Sequence, residues 1–433
     1  MRVSEPAKPV RIALFGPGTV GTQVVRLLTE HATDLEQRVG APVEIVGVYV
    51  RDTSTPRDAV IDPALLTSDA HALIQDADLV VELMGGIEPA KGYMLEAIGA
   101  GAAVVTANKA LLALHGPELF EAADANNVDF YFEAAVAGAI PIIRPVRESL
   151  AGDNVKRILG IVNGTTNYVL DEMTTRLLDY DVAVKQAQEL GYAEADPTAD
   201  VEGHDAAAKA AILASLAFHQ RVHLDDVYCE GISAITAADV AAATESGHVI
   251  KLLAIVERTA AGVSARVHPA LVSLGHPLAG VHGAFNAVFV EAEAAGELMF
   301  YGQGAGGTPT ASAVLGDIVS AARHIAQGGR GPRESHYADL PVLPIEASSS
   351  RFQLRMTVHD KPGVLAGIAA TLAERGVSIE AVRQKVAGAD TGLATIVIST
   401  HRAPESEVSE VLDALRASEA VTEIRSVLRI EGE

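Results

Sequence analysis

Among 433 residues there is a single cysteine, Cys229, and no tryptophan. A lone thiol excludes an internal disulfide framework and any cysteine-built zinc centre. Aromatic residues make up only 4% of the chain, which argues against an aromatic-rich binding surface and for tightly packed α/β layers. Basic side chains are also scarce: 33 Lys and Arg stand against 56 Asp and Glu, a formal net charge of −23. That field repels a phosphate backbone and no basic patch relieves it, so nucleic acid is not an expected partner. Although 49% of the residues are hydrophobic, no uninterrupted apolar run is long enough to span a bilayer. The opening "MRVSEPAKPV" is short and polar, unlike a secretory leader. The expectation is a soluble, cytoplasmic protein of two or three domains, with no membrane partner.

The first third alternates short apolar runs with helical patterns. "VRIALFG", "EIVGVYV", "DLVVELMG", "AAVVTANK" and "VDFYFEAAV" read as strands. Between the first two, Val20, Val24, Leu27, Leu28, Leu35 and Val39 fall near the 3.6-residue period of a helix. Strands separated by helices imply right-handed βαβ units and a parallel sheet covered on both faces, so residues 1–145 are expected to form a Rossmann-type α/β domain. From about 146 the rhythm changes to a second, α+β domain over 146–306. A helix over 307–328, opened by "GQGAGG", would return to the first domain. The Gly, Pro and Ser content of 329–350 marks a linker. Residues 351–433 then read β-α-β-β-α-β, a separable ferredoxin-like unit.

Three segments of the first domain carry chemistry. "FGPGTVG" sets Gly16, Gly18 and Gly21 as G-x-G-x-x-G directly after a strand and opening a helix. Gly16 permits the tight turn, Gly18 lets backbone N–H groups approach a pyrophosphate, and Gly21 allows close helix–sheet packing. The second strand ends "VYVRD", which puts Arg51 at the adenosine ribose. A guanidinium there suits a 2′-phosphate, so NADP is the expected cofactor; Asp52 in contact with the ribose would instead favour NAD. "TANK" brings Lys109 to the carboxyl end of its strand, the edge where open α/β sheets bind ligands.

"GYAEADPTADVEGHDAAAK" crowds five carboxylates ahead of Lys209. Their spacing is not that of a calcium loop, and His204 beside Asp205 does not make a transition-metal set. Asp196, Asp200 and Glu202 suit turn and capping duties around an Asp-Pro step. Asp205 and Lys209 differ, because "DAAAKAAILASLAF" has almost no other polar side chain and should be buried nearly all round. A buried lysine needs a partner or a task, and one with a shifted pKa can pass a proton near neutral pH. Glu194, in the turn just before, can accept hydrogen bonds from a substrate ammonium or hydroxyl.

"FGPGTVG", "TANK", "VNGTTNYVL", "GYAEADPTADVEGHDAAAK" and "GQGAGGTPTASAV" together resemble the homoserine dehydrogenases over roughly residues 10–325, and "VHDKPGVLAGIAATLAERGVSI" resembles an ACT domain. The resemblance implies NAD(P)-dependent interconversion of L-aspartate 4-semialdehyde and L-homoserine, in threonine, methionine and isoleucine biosynthesis. It implies Lys209 as the acid–base lysine with Lys109 beside the reacting oxygen. Glu194, Asp205, Tyr192, Gly164 and Thr165 would hold substrate. Phe15, Gly16, Gly18, Thr19, Val20, Gly21, Arg51, Lys109, Gly191 and Gly306 would contact the cofactor. A monovalent cation, sodium or potassium, would sit at Glu133, Val136, Gly138 and Ile140, largely on backbone carbonyls. A threonine effector would meet Asp360, Gly363 and Val364, and the assembly would be a homodimer or homotetramer. Two departures stand out: Pro17 within the glycine loop removes one backbone donor, and Ser378 replaces an asparagine common in amino-acid-binding ACT domains. Two rivals remain: a cysteine-dependent semialdehyde dehydrogenase, and a non-catalytic amino-acid sensor.

Overall fold

The computed structural model describes residues 7–336, 338–386 and 392–432; the first part of the opening stretch discussed above lies outside them. The chain begins β1 (Val10–Phe15), α1 (Thr19–Glu30), α2 (Ala32–Val39), β2 (Val43–Tyr49), β3 (Leu66–Thr67), α3 (Ala70–Gln75), β4 (Leu79–Glu82), α4 (Ala90–Gly99), β5 (Ala103–Thr106), α5 (Lys109–Ala125) and β6 (Phe130–Tyr131). These strands form one sheet in the order β3-β2-β1-β4-β5-β6, with every pair parallel. That is the Rossmann order, with its crossover point at the end of β1. Strands β4 and β5 are buried along their whole length, as expected of a sheet covered on both faces. The single helix expected over 20–39 is broken at His31 into α1 and α2. "VDFYFEAAV" contributes only a two-residue strand before the chain turns at Glu133–Ala135.

The chain continues through β7 (Val155–Ile161), α6 (Gly164–Thr175), α7 (Tyr180–Glu189), α8 (Thr198–Val201), α9 (His204–Phe218), β8 (Tyr228–Cys229), α10 (Ala237–Glu245), β9 (His248–Thr259), β10 (Gly262–Ser273), β11 (Phe285–Ala292), β12 (Gly296–Gln303) and α11 (Gly307–Gln327). It ends with β13 (Ser349–His359), α12 (Val364–Ala373), β14 (Ile379–Val386), β15 (Leu393–Thr400), β16 (Ala403–Pro404), α13 (Glu405–Arg416) and β17 (Val421–Glu431).

Two compact units result. The first holds residues up to Gly164, Ala208–Leu224 and Phe285–Asp339. In it β11 pairs antiparallel with both β7 and β12. Helix α11 lies against the parallel sheet, where Ala311, Val314, Ile318 and Ala321 join one core with Ile12, Val24, Leu28 and Val105.

The second unit holds Thr165–Ala207, Asp225–Ala284 and Leu340–Glu433. Strands β9 and β10, twelve residues each, form an antiparallel hairpin. The C-terminal β-α-β-β-α-β segment builds an antiparallel sheet in the order β17-β13-β15-β14. Alternate residues Phe352, Leu354, Met356 and Val358 of β13 pack with Ile368, Leu372, Val408, Val411 and Leu415 of α12 and α13. The opposite face of β13 carries Gln353 and Arg355, and Arg355 is ion-paired to Asp239 of α10 at 2.7 Å. The last three paired residues of β17, Arg429–Glu431, lie parallel to Ala270–Val272 of β10.

Candidate active site

The glycine loop fulfils three separate steric requirements. Gly16 has φ +93°, and a Cβ there would lie 2.8 Å from the main chain of Leu83 and Met84. A Cβ at Gly21 would fall 2.2 Å from the Gly16 carbonyl, so α1 leaves the sheet only because that side chain is absent. At Gly18 a Cβ would meet no protein atom within 4 Å, which leaves that side open for a ligand. Thr19 and Val20 form the first turn of α1, which has no side-chain cap and no acidic residue. Its N–H groups are thus suited to an anion. Phe15 offers only main chain, because its ring is fully buried and packs on Tyr49 and Tyr93 at 5.1 and 5.5 Å.

Arg51 is exposed just beyond β2. Its neighbour Asp52 is committed to its own loop, accepting from Ser54 N–H at 2.9 Å, Ser54 Oγ at 2.7 Å and Thr55 Oγ1 at 3.2 Å. Those hydrogen bonds hold its carboxyl below the usual range.

At the carboxyl end of the sheet, Glu82 is nearly wholly buried. Its carboxylate accepts from Met84 and Gly85 N–H and from Thr106 Oγ1 at 2.8, 3.1 and 2.7 Å. Asn108 caps α5 through Leu111 N–H and donates to the Gly86 carbonyl at 2.6 Å. Lys109 is the first residue of that helix and is half-buried. Glu82, Thr106 and Asn108 therefore fix where Lys109 begins. Glu82 is not among the residues singled out from the sequence, although a carboxylate ending an otherwise apolar strand is a visible signal. In the same unit Lys209, 8% exposed, donates from Nζ to the Val162 carbonyl at 2.6 Å, just past β7.

Gly306, with φ +129°, precedes α11. Glu133 is buried and takes N–H groups from Ile142, Ile143 and Arg144 at 2.6, 2.7 and 3.0 Å. Burial nevertheless raises its carboxyl. Its own N–H donates to Asp317 at 2.8 Å, and Arg144 is ion-paired to Asp317. Gly138, φ +56°, packs so closely on Gly304 that a Cβ would lie 2.2 Å from that carbonyl. Val136 and Ile140 flank the turn, both buried.

In the second unit the carboxylate segment is a turn around α8. Asp196 accepts from Thr198 N–H and Oγ1 at 3.1 and 2.6 Å, the turn role its sequence suggested. Thr165 donates to the Tyr192 carbonyl at 2.6 Å and contacts Asp200 at 3.3 Å. These bonds tie the start of α6 to the acidic turn. Gln188 donates to the main-chain carbonyls of Glu194 and Ala195. Glu194, Tyr192 and Gly191 are exposed; the Tyr192 ring packs on Tyr168 at 5.1 Å. Asp205 is 8% exposed in the first turn of α9.

Three further features of this unit bear on function. Cys229 donates to the Glu202 carbonyl at 3.2 Å, and burial, with Glu202 and Glu230 nearby, pushes its thiol up to about 11. Almost none is thiolate at neutral pH, which removes the nucleophile a thioester mechanism needs. Lys251 of β9, unnoticed in the sequence, is 2% exposed. It donates to Asn167 Oδ1 at 3.0 Å and the Val281 carbonyl at 2.6 Å, so it clamps the first turns of α6. Asp360, Gly363 and Val364 form the turn from β13 into α12, where Gly363 adopts φ +91°.

Comparison with known proteins agrees with this arrangement. Family models described as homoserine dehydrogenase, NAD binding domain, and homoserine dehydrogenase match residues 16–133 and 141–319, and an ACT domain model matches 352–420. The homoserine dehydrogenase of Corynebacterium glutamicum is 55% identical, covering 98% of this chain and 96% of that protein. That of Mycobacterium tuberculosis is 56% identical, with 98% of each covered. A solved homoserine dehydrogenase from Thiobacillus denitrificans superposes with a TM-score of 0.93 at 40% identity, covering 99% of both chains. A hyperthermophilic archaeal homoserine dehydrogenase, solved in complex with NADPH, matches 72% of this chain and 98% of its own at a TM-score of 0.61 and 28% identity. The chain belongs to the homoserine dehydrogenase family, an NAD(P)-dependent oxidoreductase carrying a C-terminal ACT domain.

Proposed function

We propose that the protein reduces L-aspartate 4-semialdehyde to L-homoserine with NADPH, reversibly, with Lys209 as proton donor and Lys109 as a second cation near the reacting oxygen. The observation that carries this is the buried Lys209 ammonium, fixed by the Val162 carbonyl on a helix of small apolar residues. The reduced nicotinamide, when bound, supplies a hydride to the carbonyl carbon. Lysine ammonium groups stabilise negative charge on the oxygen, and Lys209 delivers the proton. Glu194 and Asp205 hold the substrate's ammonium end, with Tyr192, Gly164 and Thr165 shaping the pocket. Oxidation of homoserine needs Lys209 neutral, so it gains at alkaline pH.

NADP preference is supported by exposed Arg51 and by Asp52, which is occupied by Ser54 and Thr55. Gly191 and Gly306 would border the same cofactor. A monovalent cation, sodium or potassium, at Glu133, Val136, Gly138 and Ile140 would sit largely on the main-chain carbonyls of this tight turn, hard oxygen donors, because the Glu133 carboxylate is already engaged by three N–H groups. Threonine feedback through the ACT domain and a role in threonine, methionine and isoleucine biosynthesis complete the reading. Self-association is favoured by exposed Phe285, Met299 and Tyr301 on the β11–β12 hairpin.

The test is coenzyme oxidation followed at 340 nm with L-aspartate 4-semialdehyde. Wild type should turn over with NADPH, and Arg51→Ala should raise the KM for NADPH by about tenfold, the loss of one charge-assisted contact, while leaving NADH unchanged. No substrate-dependent oxidation of either coenzyme would contradict the reaction, and an unchanged NADPH KM in Arg51→Ala would contradict the cofactor assignment.

A further inference from the structure

Strand β4 ends on Glu82, a side chain 1% exposed at the edge where open α/β sheets bind their ligands. We propose that Glu82 is a positioning residue for the reaction: its two carboxylate oxygens lock the loop after β4 and the turn that launches Lys109 into one piece. The inference rests on the reading of Lys109 as a cation near the reacting oxygen, and names what holds it there.

The two oxygens serve different loops. Oε1 accepts from the N–H groups of Met84 and Gly85, both in the loop after β4. Oε2 accepts from Thr106 Oγ1 at the end of β5. The Thr106 hydroxyl in turn accepts from Asn108 N–H at 3.0 Å, one residue before Lys109. The Lys109 N–H closes on the Ala107 carbonyl at 3.0 Å. Asn108 then reaches back to the first loop through the Gly86 carbonyl. The links from Glu82 through Thr106 and Asn108 to Gly86 therefore form a closed ring, which a single broken bond would open.

The loop held by Oε1 also abuts the nucleotide turn. Leu83 N–H donates to the Phe15 carbonyl at 2.8 Å. A Cβ on Gly16 would lie 2.8 Å from the main chain of Leu83 and Met84, so the two segments are already in contact. Gly85 and Gly86 adopt φ +74° and +77°, and a Cβ on either would meet no protein atom within 4 Å. Bare main chain is thus offered to open space on the coenzyme side, while Thr106 and Asn108 carry the lysine side.

The chemistry explains why such a lock is worth a buried carboxylate. An apolar side chain at position 82 would continue the run Leu79–Val81 without the cost of burying a charge. It would also leave Met84, Gly85 and Thr106 without their acceptor. Hydride transfer with proton delivery depends on the separation of groups supplied by different loops, and a misplacement of about 1 Å can cost roughly a hundredfold in rate.

The test compares Glu82→Gln, Thr106→Val, their double variant, Thr106→Ser and Lys109→Met in NADPH-dependent reduction of L-aspartate 4-semialdehyde, with NADPH binding followed by fluorescence. Both Glu82→Gln and Thr106→Val keep side-chain shape and break the Oε2 arm. Each should lower kcat by about 10–100-fold, with NADPH affinity within about threefold of wild type. Because they cut one link, the double variant should fall no more than about twofold below the weaker single variant. Thr106→Ser keeps the hydroxyl and should return kcat to within about threefold of wild type. If Lys109→Met loses kcat while Glu82→Gln and Thr106→Val keep it, the positioning role is overturned and the Lys109 reading stands. A wild-type kcat in Lys109→Met would overturn both. Losses that Thr106→Ser does not restore, that multiply in the double variant, or that come with lost NADPH binding would mark a general disturbance of the sheet end and overturn the lock.

Discussion

Lys251 shows how a single buried cation can matter to a site it does not enter. Its ammonium is satisfied by an amide oxygen and a main-chain carbonyl, with no carboxylate in direct contact among the described residues. Burial lowers its pKa to about 8, partly opposed by Asp171, against about 10.4 in an unfolded chain. Between those values the unfolded state binds more protons, so stability rises with pH across that window and the contribution is lost as pH falls through about 8. The stability of wild type relative to Lys251→Met should therefore increase between pH 7.5 and 9.5 in urea unfolding. A difference that stayed flat or fell would contradict the assignment. Because Lys251 positions α6, the variant should also raise KM more than it lowers kcat. Nothing local marks this residue, since "HVIKLLAIV" reads simply as a strand with one lysine. Only the fold brings Asn167, 84 residues away, to its ammonium.

Elements decide how the C-terminal domain is held. Helix α10 starts with a capping box: Asp239 N–H reaches Thr236 Oγ1, and the Asp239 carboxylate returns to Thr236 N–H. The same carboxylate, 2% exposed, pairs with Arg355 on the open face of β13. Asp239→Ala would remove the cap and leave a guanidinium without its buried partner. Loss of about 3–5 kcal/mol is expected, whereas Thr236→Ala should lose only about 1 kcal/mol. Equal, small losses in denaturant midpoints would show that Arg355 does not depend on α10. At this scale much was legible. Period-2 alternation in "FQLRMTV" and the glycines of "FGPGTVG" report local geometry that each residue needs by itself. The break at His31 was not legible, because apolar spacing runs through it unchanged. Nor was the shortness of β6, which depends on the turn demanded by Glu133.

The whole molecule is organised by pairings that no local pattern encodes. β7 pairs with β11, more than a hundred residues on, which is why the first compact unit runs to Gly164 and not to a boundary near 145. In the second unit the parallel step from β10 to β17 makes the C-terminal sheet continuous with the β9–β10 hairpin. Glu431 closes that step: it is 1% exposed, accepts from Ser350 Oγ at 3.0 Å and lies 3.4 Å from Arg266, itself 1% exposed. Glu431→Ala should lower stability by about 3–5 kcal/mol, because it leaves a buried arginine with less counter-charge. A change below about 1 kcal/mol would mean that Glu257, 3.2 Å from Arg266, suffices. The candidate catalytic residues were more legible than this framework. A lysine in an apolar helix and a glycine loop after a strand announce their chemistry wherever the fold sends them. The claim at the centre is that Lys209 transfers the proton. The most direct measurement is kcat of Lys209→Met in the NADPH-dependent reduction of L-aspartate 4-semialdehyde, with NADPH binding and circular dichroism as controls for folding. A fall of about 10²–10⁴-fold with coenzyme binding intact is the predicted result, and a kcat within about threefold of wild type would contradict it.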